Sequence, residues 1–247
     1  MGTLAKTDPE AKLGHLMNAV EREHAPLELA AYTVRGEPVL FAEAASGDYR
    51  PFNVGDKWGP PWGTTWLHVL GRVPTEWIGK SVVAVFNIGF DGHVGFTCEA
   101  LAWRDGKPWR GVDPNHRWLP IDSTEVDFYL EASAIPTAVV AGPAEAPSMI
   151  ALRESAEPIF VFRQAELRIQ DQLARKVALD FKILYELAVA LPEGKRRAEI
   201  FEALNRFARS NDPEDLAGAV RPSTSTHRIT AVGHAHIDTA WLWPLRE

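Results

Sequence analysis

The sequence is poor in cysteine and has no long hydrophobic run. Cys98 is the sole cysteine among 247 residues, which excludes an internal disulfide and a zinc site built from several cysteines. No apolar run approaches the ~20 residues that a membrane-spanning helix needs. The first ten residues lack the apolar centre of a secretory signal peptide. These absences together predict a cytoplasmic protein without a membrane partner.

Basic side chains are outnumbered by acidic ones. The chain has 26 lysines and arginines against 33 aspartates and glutamates, for a formal net charge of −7. Nucleic-acid-binding proteins are typically basic, so a nucleic-acid partner is not expected. Tryptophan is abundant by contrast, since seven of the nine lie between Trp58 and Trp118. We expect these indoles in a hydrophobic core or a subunit interface rather than on an exposed sugar-binding platform.

The first two segments differ in hydrophobic periodicity. Residues 1–26 are predicted to hold an N-terminal helix, because apolar residues recur every three or four positions over Ala11–Glu23. Residues 27–167 contain short β-rich runs separated by turns, which predict an antiparallel, jelly-roll-like β-sandwich. Asp105-Gly106 is predicted to turn a hairpin, since both residues accept the positive φ of a tight turn. The polar run Asn115–Arg117 is predicted to make loop hydrogen bonds or a domain-interface contact.

The last two segments return to helix and then to an apolar strand. Residues 168–216 carry two apolar stripes at helical spacing, interrupted at Pro192, and predict a helical-hairpin connector. Residues 217–247 begin with a polar linker, and Arg228–Val232 then reads as a buried strand. The fold class expected is therefore α+β and multidomain.

The chemistry in the sequence is concentrated after that strand. His234, His236 and Asp238 occupy alternate positions, so on an extended backbone their side chains share one face. Two imidazoles and a carboxylate on one face favour a divalent metal site. The alternative is a set of hydrogen-bonded polar residues at a strand end. Trp241 follows closely and offers an aromatic ring on which a sugar can stack.

The segment Gly233-His-Ala-His-Ile-Asp-Thr-Ala-Trp-Leu-Trp-Pro244 resembles the first catalytic motif of glycoside hydrolase family 38, the α-mannosidases. It is most similar to the cytosolic and bacterial branch, and Trp58–Trp66 and Gly111–Arg117 resemble the N-terminal β-domain of that branch. The resemblance implies metal-dependent, retaining hydrolysis of terminal α-mannosides from oligosaccharides. It also implies that Arg228–Val232 is the first strand of a truncated α/β catalytic barrel.

The resemblance assigns roles to four residues. It implies that His236 and Asp238 bind Zn²⁺, although other divalent metals stay open, and that Trp241 forms a wall of the sugar subsite. His234 is expected to orient the site without touching the metal. A retaining glycosidase also needs a nucleophilic carboxylate and a general acid. No motif in these 247 residues supplies either of them, so the chain is expected to be an N-terminal portion that is inactive alone.

Two other functions stay open. A metal-dependent amidohydrolase also begins with His-x-His at the end of a first barrel strand. The third reading is not enzymatic: the chain is a carbohydrate-binding or subunit-assembly module, with a homo-oligomer formed through the β-sandwich.

Overall fold

The structure is a computed structural model that describes residues 9–90, 94, 97–136, 157–220, 228 and 230–233. These residues form two compact units, one within residues 24–169 and one from residues 9–23 with residues from 170 onward. The elements in chain order are α1 Pro9–Val20, β1 Glu21–Pro26, β2 Glu28–Thr33, α2 Phe41–Ala45, β3 Arg50–Phe52, β4 Lys57–Trp58, β5 Thr64–Arg72, a 3₁₀ turn Thr75–Trp77, β6 Val82–Asn87, β7 Glu99–Arg104, β8 Lys107–Val112, β9 Trp118–Ile121, β10 Glu125–Ser133, β11 Phe160–Val161, β12 Gln164–Gln170, α3 Gln172–Ala190, α4 Lys195–Ser210 and α5 Glu214–Val220.

The strands form a jelly-roll-like sandwich, as predicted. A six-stranded sheet has the order β3-β2-β5-β10-β7-β8, a four-stranded sheet the order β1-β12-β6-β9, and β11 pairs with β4. The registered pairs are antiparallel, including β5 with β10 and β6 with β12. The chain passes back and forth between the two sheets, and the hydrophobic core lies between their facing sides.

Strand β10 shows how the sequence specifies that core. Its alternate residues Val126, Phe128, Leu130 and Ala132 are buried, while the residues between them are exposed or half-buried. Successive side chains of a strand point to opposite faces, so a period of two places one set in the core. The buried set packs with residues of the four-stranded sheet such as Phe86, whose ring meets that of Phe128 edge to face at 6.0 Å between centroids.

The predicted hairpin is confirmed. β7 pairs with β8, and Arg104 lies opposite Lys107 with two residues between them. Asp105 and Gly106 have φ values of 52° and 73°. Two consecutive positive φ values match the right-handed twist of the strands that they connect, which is why Asp-Gly favours such turns.

The tryptophan-rich segment around Gly59 is a tightly packed corner. Gly59 has a φ of 68°, and a Cβ placed on it would collide with the Cβ of Ala134. The carbonyl of Gly59 accepts a hydrogen bond from the backbone of Ile159 at 3.0 Å, and Gly63 and Ala134 are joined by a backbone hydrogen bond of 2.9 Å. The corner therefore brings three distant parts of the chain together where only glycine fits.

Replacing Gly59 with alanine should lower the free energy of unfolding by about 2–4 kcal/mol, because left-handed backbone and an overpacked contact both cost energy. Gly79→Ala is a matched control, since Gly79 has a φ of 84° but open space where its Cβ would be. The control should cost only about 1–2 kcal/mol. Urea unfolding of the sandwich measures both values, and equal losses would contradict the role of Ala134.

Four helices build the other unit. α3 and α4 confirm the predicted helical pair, and Phe181 and Phe207 meet in its core with ring centroids 5.8 Å apart. Asp171 begins α3 as its N-cap, since its carboxylate accepts a hydrogen bond from the backbone of Ala174 at 2.9 Å. No helix within the described ranges is long and apolar enough to cross a membrane.

Three predicted boundaries are wrong. The N-terminal helix ends at Val20 rather than near Glu23, because Glu21–Pro26 form an edge strand of the four-stranded sheet. The connector begins later than residue 168, since β12 continues to Gln170. Residues 214–220 form a third connector helix that extends into the predicted linker, and the burial of Leu216 and Ala219 explains it.

The described residues of the predicted strand Arg228–Val232 do not form a strand. Arg228 and residues 230–232 are exposed and without regular structure, and residue 229 is outside the described residues. A parallel-barrel strand is formed by hydrogen bonds to neighbouring strands and by helices on both faces. Among the described residues no strand pairs with this segment, so its apolar sequence has no sheet to join.

Candidate functional site

The residues with the strongest predicted chemistry lie outside the described residues. These are His234, His236, Asp238 and Trp241. Their assignments as metal ligands, orienting residue and sugar wall stay predictions. Within the described ranges, no group of three or more histidine, cysteine, aspartate or glutamate side chains is placed to hold a metal ion.

The predicted core role of the tryptophans is confirmed for the first four of the tryptophan-rich region. Trp58, Trp62, Trp66 and Trp77 are each at most 3% exposed. Trp103, Trp109 and Trp118 are half-buried instead. Half-buried rings keep part of their aromatic surface accessible, so these three are the ones that can contact a ligand.

Trp66 belongs to an aromatic cluster on the outer face of the six-stranded sheet, which the sequence analysis missed. α2 and its flanking loops cover this face, and the Phe41 ring stacks on Trp103 with centroids 5.3 Å apart. Trp103 donates a hydrogen bond from its indole nitrogen to Glu131 at 2.9 Å. The sequence of β5 carries a signal for this burial, because large apolar residues occupy both odd and even positions. Such a pattern predicts a strand that is buried on both faces.

A histidine lies at the border of this outer-face cluster. The His68 ring stacks on Tyr129 at 4.3 Å between centroids, and His68 Nε2 lies 2.9 Å from a carboxylate oxygen of Asp127. Burial raises the pKa of the Tyr49 hydroxyl, with further contributions from Tyr129 and Tyr32. The Tyr49 hydroxyl therefore stays protonated at neutral pH.

Asp113 organises the turn between β8 and β9. Its carboxylate accepts hydrogen bonds from the backbone of Asn115 at 2.7 Å and of His116 at 2.9 Å. Its other oxygen lies 2.8 Å from His116 Nδ1. Arg117 donates from Nε to the carbonyl of Pro114 at 2.9 Å. The predicted loop hydrogen bonding of Asn115–Arg117 is thus confirmed, and Asp113 is its central acceptor.

These hydrogen bonds affect the pKa of the Asp113 carboxyl group. Burial acts to raise it, but the hydrogen bonds from His116 and from two backbone N–H groups outweigh burial and lower the pKa below its ordinary value. A carboxylate with a lowered pKa stabilises the fold at neutral pH. That stabilisation disappears as the pH falls from about 4 through the lowered pKa, because both states are then protonated.

Asp113→Asn should therefore lower the free energy of unfolding by about 1–2 kcal/mol at pH 7, since an amide keeps the backbone contacts but loses the charge-assisted bond to His116. The difference from wild type should shrink at pH 3. Urea unfolding at the two pH values measures it, with Asp48→Asn as the control because the Asp48 side chain is 81% exposed. An equal difference at both pH values would contradict the assignment to charge.

Beside the same turn lies a small, half-open pocket of about 230 Å³, lined by Arg110, Gly111, Asp113, His116 and Trp118. We call it the turn pocket. Its two walls come from β8 of the larger sheet and β9 of the smaller one. The Arg110 guanidinium lies 6.0 Å from the Trp118 ring centroid. A larger, half-open groove of about 660 Å³ lies at the C-terminal end of β2 and is lined in part by Tyr32, Arg35 and Arg50.

Comparison with known proteins gives a consistent result. A family model described as "Alpha-mannosidase, jelly roll domain" matches residues 25–168, which is more than half of the chain. The human protein named alpha-mannosidase 2C1 is 31% identical over 246 residues, covering 90% of this chain and 22% of the human protein. Alpha-mannosidase G of Dictyostelium discoideum is 24% identical, covering 84% of this chain and 20% of that protein.

The chain thus spans about a fifth of the length of the curated relatives that it matches. The matched residues contain the β-sandwich strands from β2 to β11, the aromatic corner at Gly59 and the turn pocket. Fold and sequence agree, and the chain belongs to the α-mannosidase family, whose jelly roll domain it carries at residues 25–168.

Proposed function

We propose that this chain is the N-terminal part of a metal-dependent, retaining α-mannosidase that removes terminal α-mannose from oligosaccharides. The observation that carries the proposal is the match of residues 25–168 to the jelly roll domain of α-mannosidases. The motif at residues 233–244 adds to it, because it resembles the first catalytic motif of the same family. Relatives named α-mannosidase also align with 84–90% of this chain. A cytoplasmic location fits the single, buried cysteine.

The donor set of the motif suits zinc. His236 offers an imidazole nitrogen and Asp238 a carboxylate oxygen, and both are common zinc ligands. They are two of the three or four protein ligands that zinc sites use, so the remaining ligands would come from polypeptide beyond these 247 residues. A bound zinc ion would supply Lewis-acid contacts to sugar hydroxyl groups.

The roles of this chain's own residues follow from that donor set. In the proposed site His236 and Asp238 would bind the metal, and His234 would orient them without touching it. Trp241 would offer an aromatic ring to the apolar face of the sugar. The two carboxylates of retaining hydrolysis, about 5–5.5 Å apart, are supplied from outside this chain. We therefore propose that residues 217–247 begin the catalytic domain and that the 247-residue chain alone does not hydrolyse α-mannosides.

A panel of nitrophenyl glycosides and amide substrates tests this function. A longer polypeptide that contains these 247 residues together with the rest of the catalytic domain should hydrolyse the α-mannoside, and a chelator should inhibit it. The 247-residue chain alone should not hydrolyse the α-mannoside. Hydrolysis of amides without any glycosidase activity would instead establish the amidohydrolase alternative. Metal-dependent mannose release by the 247-residue chain would show that a nucleophile is present within it.

A further inference from the structure

We propose that the turn pocket binds a single pyranose ring of a neutral glycan, as a sugar site separate from the motif at residues 233–244. In this arrangement the sugar ring lies against the Trp118 indole, and its hydroxyl groups contact Arg110 and His116. Only the identity of the sugar as mannose rests on the proposed function.

The size of the pocket limits the ligand to one ring. Its volume of about 230 Å³ lies below the roughly 300–1,000 Å³ of clefts that enclose drug-sized ligands. Trp118 is half-buried, so its indole is anchored in the fold and still has accessible surface. A pyranose has an apolar face of C–H groups that matches an aromatic ring.

The polar groups of the pocket match hydroxyl groups. Arg110 is exposed, and its guanidinium carries five N–H donors. His116 Nδ1 lies 2.8 Å from Asp113, which leaves Nε2 for a hydrogen bond to a ligand on a side chain that is 74% exposed. A sugar hydroxyl both donates and accepts hydrogen bonds, so adjacent donor and acceptor groups satisfy neighbouring hydroxyls.

The charges of the pocket favour a neutral ligand. Asp113 is ionised at neutral pH, because its hydrogen bonds hold the carboxyl pKa below the ordinary value. Its negative charge opposes a phosphate or carboxylate ligand, and the Arg110 guanidinium opposes a cationic one. These two charges balance among the described residues that line the pocket, which favours a neutral ligand.

The pocket is also preorganised. Four hydrogen bonds of the Asp113 turn fix Asn115, His116 and Arg117, and the Arg117 carbonyl is further held by the backbone N–H of Phe86 at 2.7 Å. A ligand that meets groups already held in place loses less conformational entropy on binding. A small cavity of this kind can therefore bind a sugar without a rearrangement of the sandwich.

Titration of the purified 247-residue chain with methyl α-mannoside, methyl α-glucoside and methyl α-galactoside tests the proposal. The titration is followed by NMR of the tryptophan indole N–H groups in the presence of a chelator, which makes it independent of metal and of catalysis. We expect saturable binding of a pyranoside with a dissociation constant on the order of 1 mM, as is usual for a ligand of this size.

Arg110→Ala and Trp118→Ala should each weaken that binding about tenfold or more. Arg104→Ala is the matched control, because Arg104 lies 4.3 Å over the Trp109 ring in the same sheet without lining the pocket. The exposed side chain of Arg110 can be removed without disturbing the core, so Arg110→Ala keeps the test valid if Trp118→Ala fails to fold.

Saturable binding that is lost in Arg110→Ala and retained in Arg104→Ala supports the pocket. Absence of saturable binding for every pyranoside, or equal binding by Arg110→Ala and wild type, overturns it. Preference for the mannoside supports mannose as the ligand, and preference for another pyranoside overturns that assignment alone. A negative result in the glycosidase panel leaves this binding result unaffected, so the two proposals fail separately.

Discussion

Replacing either His236 or Asp238 with alanine should remove bound zinc and α-mannoside hydrolysis together. In the proposed zinc site this chain supplies only two of three or four ligands, so each substitution would remove one of them. Asp238→Ala would also remove a negative charge that offsets the charge of the metal. Metal content and α-mannoside turnover are measured in a longer polypeptide that contains these 247 residues together with the rest of the catalytic domain.

His234→Ala is the internal control for that prediction. If His234 orients the ligands without touching the metal, its loss should weaken metal affinity about 10–100-fold rather than abolish binding. Full zinc retention by His236→Ala would contradict the ligand assignment. In the 247-residue chain alone, zinc should bind weakly, and stoichiometric tight binding that depends on His236 would reveal a complete site within the chain.

Trp58→Ala should remove most of the stability of the β-sandwich. Trp58 is 2% exposed, packs against Phe160 with ring centroids 5.4 Å apart and ring planes tilted by 31°, and donates its indole N–H to the carbonyl of Ile88. Truncating a buried tryptophan costs about 3–5 kcal/mol, and the unpaired carbonyl adds about 1–3 kcal/mol. Domains are stable by only about 5–15 kcal/mol, so the sandwich should unfold at low urea concentration.

Trp58→Phe separates packing from hydrogen bonding at this position. It retains a ring against Phe160 and loses the donor to Ile88, so the loss should be clearly smaller than for alanine. Urea unfolding followed by circular dichroism measures both variants. A loss for Trp58→Ala below that of Trp58→Phe would show that the indole is not the anchor of this corner.

Local patterns carried much of the fold. Asp105-Gly106 predicted its hairpin because two positive φ values are a local requirement that few residue pairs meet. The helical pair was predicted for a similar reason, since a buried stripe such as Phe181 and Leu184 repeats within one helix. The edge strand Glu21–Pro26 was missed because its mixed, largely exposed sequence has no pattern of its own, and its pairing partner lies more than a hundred residues away.

The segment that covers the outer face of the larger sheet could not be predicted in the same way. Trp66 and Trp103 lie on strands whose sequence does not reveal what covers them, and the cover comes from α2 and its loops. The turn pocket likewise joins Arg110 of one sheet to Trp118 of the other. Both features depend on which segments return across a sheet, which is a matter of long-range packing.

The strand and helix periods, the tight turns and the family of the protein could be predicted from the sequence, because each depends on residues that are close together in the chain. Which tryptophans are fully buried, how Asp113 is held, and the absence of a strand among the described residues of Arg228–Val232 became visible only in the folded structure. Burial and hydrogen bonding are completed by partners distant in sequence, and only folding brings those partners together.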